Sequence, residues 1–179
     1  KLAGSKEELE FVKYITKVLE SHGIEYNVYE FEGYVSRPIF CKLEITYPEK
    51  REIPCVAYAQ SASTPTEGIE GEIVYVGAGG IEDYIGKDVK GKITLAELSY
   101  SPPRPEKVRI AQEHGAIGQI QINWGLEERR VLPYGTVKTI WGNPTPDDIN
   151  RIVRIPAVGI MKADGIYLKK LLKQHGSVK

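Results

Sequence analysis

The sequence predicts an α/β fold, and two stretches carry that prediction. The first is residues 91–123, GKITLAELSYSPPRPEKVRIAQEHGAIGQIQIN, which reads as strand, helix, strand. Ile93, Leu95 and Leu98 form a β-rich run behind the Gly91-Lys92 turn. Three prolines between Ser101 and Pro105 then forbid further pairing, and Pro105 suits a first helical turn, where its missing N–H costs nothing. Gly115 stops the helix. From Ile117 to Asn123, Ile120 and Ile122 alternate with Gln119 and Gln121, the period of a strand with one dry face. Two strands joined this way are parallel neighbours. The second stretch, residues 155–172 (IPAVGIMKADGIYLKKLL), adds a strand and a helix of the same kind.

The remaining elements follow in order. Residues 5–23 read as an amphipathic helix, with Ser5 and Glu8 as a capping box, Leu9, Val12, Ile15, Val18 and Leu19 as the apolar stripe, and Gly23 as the stop. A short strand is expected from Ile24 to Phe31. From Gly33 the composition shifts to strands and turns, with strands expected at 38–46, 54–60, 72–76, 93–98, 117–123 and 156–160, and helices at 105–114 and 163–174. Lys162 stands where a Ser or Thr cap is more usual, so the last helix is expected to start loosely, with Asp164 serving its first turn. Residues 124–150 form a long Pro- and Gly-rich stretch with two tryptophans, the kind of loop that is commonly functional.

GKITL, PEKVRIAQEHGAIGQIQIN and IPAVGIMKADGIYLKKLL, in this order, resemble the protease-associated (PA) domain inserted in zinc aminopeptidases and their transferrin-receptor-like and glutamate-carboxypeptidase-like relatives. The likeness spans roughly residues 55–172. It implies a swivelling β/β/α domain, a barrel-like mixed sheet with flanking helices. The opening AGS, helix and short strand also resemble the start of the peptidase domain in that family, which divides the chain into 1–32, a helix and strand of a peptidase domain, and 33–179, the PA domain. The resemblance further implies an accessory role over an active-site entrance, with zinc, its His-x-Asp and paired-acid ligands, and the body of the catalytic domain lying downstream. The implied partners are that domain, a peptide substrate and a second copy in a homodimer. The rival is a stand-alone peptide- or protein-binding module, which requires residues 1–32 to be an integral part of this fold.

Composition narrows the alternatives. The 179 residues hold 24 basic and 24 acidic side chains with no Lys/Arg block, so nothing favours nucleic acid or an anionic membrane. No apolar run approaches the roughly 20 residues that span a bilayer. The start, KLAGSKEELE, has neither an initiator Met nor an apolar leader, the mark of a processed or trimmed end, and it gives no compartment. If YPEK or PEKR turns a hairpin, the two cysteines, Cys41 and Cys55, fall opposite one another. They are then either buried thiols or a cross-strand disulfide, since a metal site lacks CxxC spacing.

Chemistry-bearing patterns are few. His22, His114 and His175 each precede a glycine at a predicted helix end, where the imidazole faces the negative pole of the helix and the glycine takes the left-handed cap. IVYVGAGGIE (73–82) approaches a dinucleotide loop, but Glu82 replaces the third glycine and Asp83 follows it, so it reads as a turn; a nucleotide site would require a long helix from near Gly80. No serine sits in a nucleophile elbow. The expected contact surface lies at the C-terminal ends of the parallel strands: Ser99, Tyr100 and Arg104 after one strand, Asn123 and Trp124 after the next, with Tyr134 and Trp141 from the long loop. The bland alternative is that the two tryptophans pin that loop to the sheet. No catalytic residue and no metal ligand are assigned within this chain.

Overall fold

The computed structural model describes residues 3–179. Helix α1 (Lys6–Ser21) begins where the capping box places it: Ser5 Oγ accepts the Glu8 N–H at 3.2 Å, and Glu8 in turn accepts the Gly4 N–H. Residues 24–31, expected to be a strand, form no regular element and have no strand partner among the described residues. Their alternating aromatics have no second edge to pair with here, so propensity alone does not make them a strand.

The other expected strands are present in shorter form, and one strand, at Arg51–Ile53, lies ahead of the strand expected at 54–60. Strands β1 (Leu43–Ile45) and β2 (Arg51–Ile53) make an antiparallel hairpin. Strands β3 (Cys55–Ala57), β4 (Ile73–Tyr75), β5 (Ile93–Glu97), β6 (Gly118–Ile122) and β7 (Ala157–Ile160) build a five-stranded sheet ordered β3-β7-β6-β5-β4. All its neighbours are parallel except β3 with β7. The expected crossover is present: α2 (Arg104–Glu113) links β5 to β6 in register Leu95 opposite Ile120. The hairpin runs directly into β3 through Pro54. On the other side the C-terminal tail joins hairpin to β4, with the Lys179 carbonyl accepting the Thr46 N–H at 2.7 Å and the Val178 carbonyl accepting the Ile73 N–H at 2.8 Å. That circuit gives the sheet its barrel-like closure.

Both faces of the sheet are covered, the usual condition of parallel strands. On one side, α2 packs through Val108, Ile110 and Ala111 with Val76, Tyr84, Ala96 and Val137. On the other, α3 (Lys162–His175) packs Leu168 and Leu171 on Leu95, Ile120, Ile122 and Ile160, with Ile45 and Ile53 from the hairpin. Gly165 lets α3 approach closely, since a Cβ there would sit 2.3 Å from Ile122 Cγ2. Strand β6 is a correction to the expected half-wet strand, because all five residues are buried. Its glutamines are hydrogen-bonded under α2: Gln119 Nε2 donates to the Lys107 carbonyl at 3.1 Å, and Gln121 Nε2 donates to Gln119 Oε1 at 2.6 Å. These bonds offset most of the cost of burying the two amides, while Gln121 Oε1 has no partner among the described residues.

Candidate functional site

The parallel strands deliver their loops to one edge. Leu98 N–H donates to the Ile122 carbonyl and Asn123 N–H to the Ile160 carbonyl, so the segments leaving β5 and β6 start side by side. Lys107 braces this edge from below. It is 1% exposed, on the inner face of α2, and its ammonium donates to the carbonyls of Ala78 and Tyr100, the latter at 2.6 Å. One side chain thereby ties the Gly77–Gly80 turn to the loop carrying Ser99 and Tyr100. Burial pulls the Lys107 ammonium down to about 8, against the opposing pull of Asp83 and Glu97.

Glu97, at the end of β5, forms the second brace, toward α3. Lys162 Nζ donates to one carboxylate oxygen at 2.8 Å and Lys169 Nζ to the other at 2.6 Å, with the Tyr75 hydroxyl at 3.4 Å. Burial alone would raise this carboxyl, but the two ammonium hydrogen bonds outweigh it and hold the group below its usual range. Lys162 is therefore the first residue of α3 rather than its cap; Met161 occupies the cap position with no side-chain bond.

The residues expected to make contacts divide into groups. Ser99, Tyr100, Trp124 and Tyr134 are exposed, the last three at 66%, 69% and 79%. Arg104 opens α2 with its guanidinium over the Tyr58 ring, 4.8 Å from the centroid, and against Gly135. Tyr134 directly precedes that glycine in the chain. Asn123 is buried and already used: its Nδ2 donates to the Val131 carbonyl at 2.7 Å and its Oδ1 accepts the Trp124 N–H at 2.9 Å. It shapes the loop instead of offering itself to a ligand. Trp141 is 85% exposed in a separate turn, whose Asn143 bonds Tyr34 N–H and the Glu32 carbonyl.

The tryptophans do not pin the long loop. Pro133, Val137 and Ile140 are its buried anchors, and Ala59 exchanges backbone bonds with Gly135 and Val137 at 3.0 Å each. Lys107, Glu97 and Tyr58 are the residues that sequence reasoning missed. Lys107 alone left a signal, a cation spaced with Val108 and Ala111 on the apolar side of α2. Asp164 is buried rather than merely serving the first turn, and burial raises its carboxyl.

The other motifs are structural. His22, His114 and His175 all stand at helix C-termini, followed by Gly23, Gly115 and Gly176 at positive φ. His114 also donates through Nδ1–H to the Ile110 carbonyl at 2.9 Å and stacks on Tyr84. After Gly80 there is one 3₁₀ turn (Ile81–Tyr84), closed by Asp83 accepting the Gly80 N–H, which removes the helix a dinucleotide site needs. Among the described residues no three His, Cys, Asp or Glu side chains gather into a metal-holding group, and no helix is long and apolar enough to cross a membrane.

Comparison with known proteins agrees with this architecture. The family model of the PA domain matches residues 55–168. A probable glutamate carboxypeptidase of Arabidopsis thaliana is 29% identical over 132 residues, 65% of this chain and 19% of its own length. An aminopeptidase from Aneurinibacillus sp. strain AM-1 superposes with a TM-score of 0.67 at 30% identity, over 99% of this chain and 38% of that one. A zinc aminopeptidase from Bacillus subtilis gives 0.66 at 24% identity, over 95% and 37%, a likeness of fold. The chain thus spans a fifth to two fifths of the relatives it matches.

Proposed function

The chain belongs to the PA domain family, and on that premise we propose that it is the accessory portion of a zinc-dependent exopeptidase of the aminopeptidase type. In this reading residues 1–32 are part of the peptidase domain and residues 33–179 are the PA domain, which covers the active-site entrance and controls substrate access or makes protein contacts. Hydrolysis and its zinc belong to the catalytic domain, not to this chain.

The observation that carries the reading is α1. It is a 16-residue amphipathic helix without one buried residue, and Leu9, Phe11, Tyr14, Ile15 and Val18 along it are all exposed. A helix of this length draws most of its stability from covering its apolar face, and among the described residues nothing buries that face. The aligned aminopeptidase includes this helix within a chain more than twice as long. A stand-alone module requires residues 1–32 to be integral to the fold, and α1 speaks against that. Tyr100, Arg104, Trp124 and Tyr134, with Ser99 beside them, are the residues proposed to meet the peptide or a neighbouring domain; Trp141 would act from its own turn, and Asn123 by holding the Trp124 loop.

Amide hydrogen exchange on this chain and on the complete protein tests the assignment. We expect α1 to exchange rapidly in the 179-residue chain and to become protected in the complete protein at any concentration. Protection in the isolated chain that rises with concentration would instead identify a homodimer as what covers α1.

A further inference from the structure

The geometry points to an intramolecular disulfide between Cys41 and Cys55 that fastens the leading segment to the edge of the main sheet. In the hairpin Leu43 faces Ile53, Glu44 faces Glu52 and Ile45 faces Arg51. Carried two residues beyond Leu43 and Ile53, the same register sets Cys41 opposite Cys55, and the two sulfurs stand 2.8 Å apart. Directly opposed residues of antiparallel strands hold their Cβ atoms at separations that overlap those a disulfide spans, so closure requires no strand to slide. Both thiols are half-buried, and the chain contains no third cysteine to compete.

The contact is symmetric, either sulfur being able to donate to the other, and both thiols are half-buried. Either can open the exchange once it has lost its proton, and the route from Cys41 mirrors that from Cys55. With glutathione disulfide as oxidant, Cys41 Sγ attacks one sulfur, forms a mixed disulfide and expels one glutathione thiolate, which takes up the proton Cys41 released. Cys55 then loses its proton, attacks Cys41 Sγ and expels the second glutathione. Two protein thiols are oxidised by two electrons, and one glutathione disulfide becomes two glutathione thiols.

The bond would matter because little else holds this segment. Ahead of β1, Ile39 is 99% exposed, and the stretch is tied down by Tyr34 and Glu32 to Asn143 and by Ser36 Oγ, which accepts the Gln60 N–H at 2.9 Å. Helix α1 hangs from that stretch. Cys55, by contrast, lies on β3 opposite Ile160.

The test is to hold the 179-residue chain with excess glutathione disulfide, then count thiols and weigh the protein. The expected product has no titratable thiol, a mass lower by about 2 Da, as loss of two hydrogens requires, and linked tryptic peptides carrying Cys41 and Cys55. Its thermal midpoint is expected to lie several degrees above that of the reduced chain, a gain absent from Cys41→Ser. Any remaining free thiol, or glutathione retained on either cysteine, overturns the pairing; a crosslink with no rise in midpoint overturns its fastening role.

Discussion

Replacing Lys107 by Met separates the cost of burying a charge from the value of the bonds it makes. The ammonium is pulled to about 8 from its ordinary 10.5. At about 1.4 kcal/mol per tenfold change in proton affinity, that gap corresponds to roughly 3 kcal/mol. Between these two values the unfolded chain keeps the proton and the folded chain has released it, so stability rises with pH across the window. The contribution is fully present above the ordinary value and is lost as pH falls through about 8. Lys107→Met removes this dependence. Near neutral pH it also removes the bonds to Ala78 and Tyr100, at about 1 to 3 kcal/mol for each carbonyl left unpaired, so the variant is expected close to the parent there. Urea denaturation of both proteins from near pH 7 to near pH 10 should show the parent gaining about 2 to 3 kcal/mol on the variant. A difference that stays flat within about 0.5 kcal/mol would refute the claim that this lysine is buried at a cost.

Glu97→Gln removes the charge that Lys162 and Lys169 share. We expect a loss of about 1 to 3 kcal/mol near neutral pH, moderated because both lysines are partly exposed. Since its folded carboxyl is lowered, the parent should lose that advantage as pH falls through the carboxylate range, which acid titration of the two proteins would show. Gly165→Val puts a side chain into Ile122 and should cost about 1 to 3 kcal/mol, or more, in thermal or urea melts, by pushing α3 from the sheet. Trp124→Ala and Tyr134→Ala should leave stability within about 0.5 kcal/mol, since both are exposed. In the complete protein the same changes should alter KM for longer peptides while sparing a single-residue substrate.

The crossover unit was legible because it combines a turn glycine, a proline block and a stop glycine around two apolar runs, and each has a local cause. The three His-Gly pairs were legible for the same reason. Residues 24–31 misled because strand propensity is realised only against a partner edge, and no pattern within the segment says whether one exists. Gln119 and Gln121 misled because alternation was read as wet against dry, whereas their amides find partners on α2 and on each other. Tryptophan content in the long loop did not reveal its orientation, because the anchoring falls to buried Pro133, Val137 and Ile140 and to the backbone of residues 135–137 paired with the distant Ala59. Cys41 and Cys55 were opposed correctly once the hairpin turn was placed, since register in a hairpin follows from turn position.

The most direct test of the proposed role is to assay the complete protein for release of terminal residues from aminoacyl and short-peptide substrates, with and without a chelator, beside the 179-residue chain. Chelator-sensitive release by the complete protein, and none by this chain, is the predicted result. Release that survives metal removal, or a complete protein that contains no metal-binding peptidase domain, would contradict it.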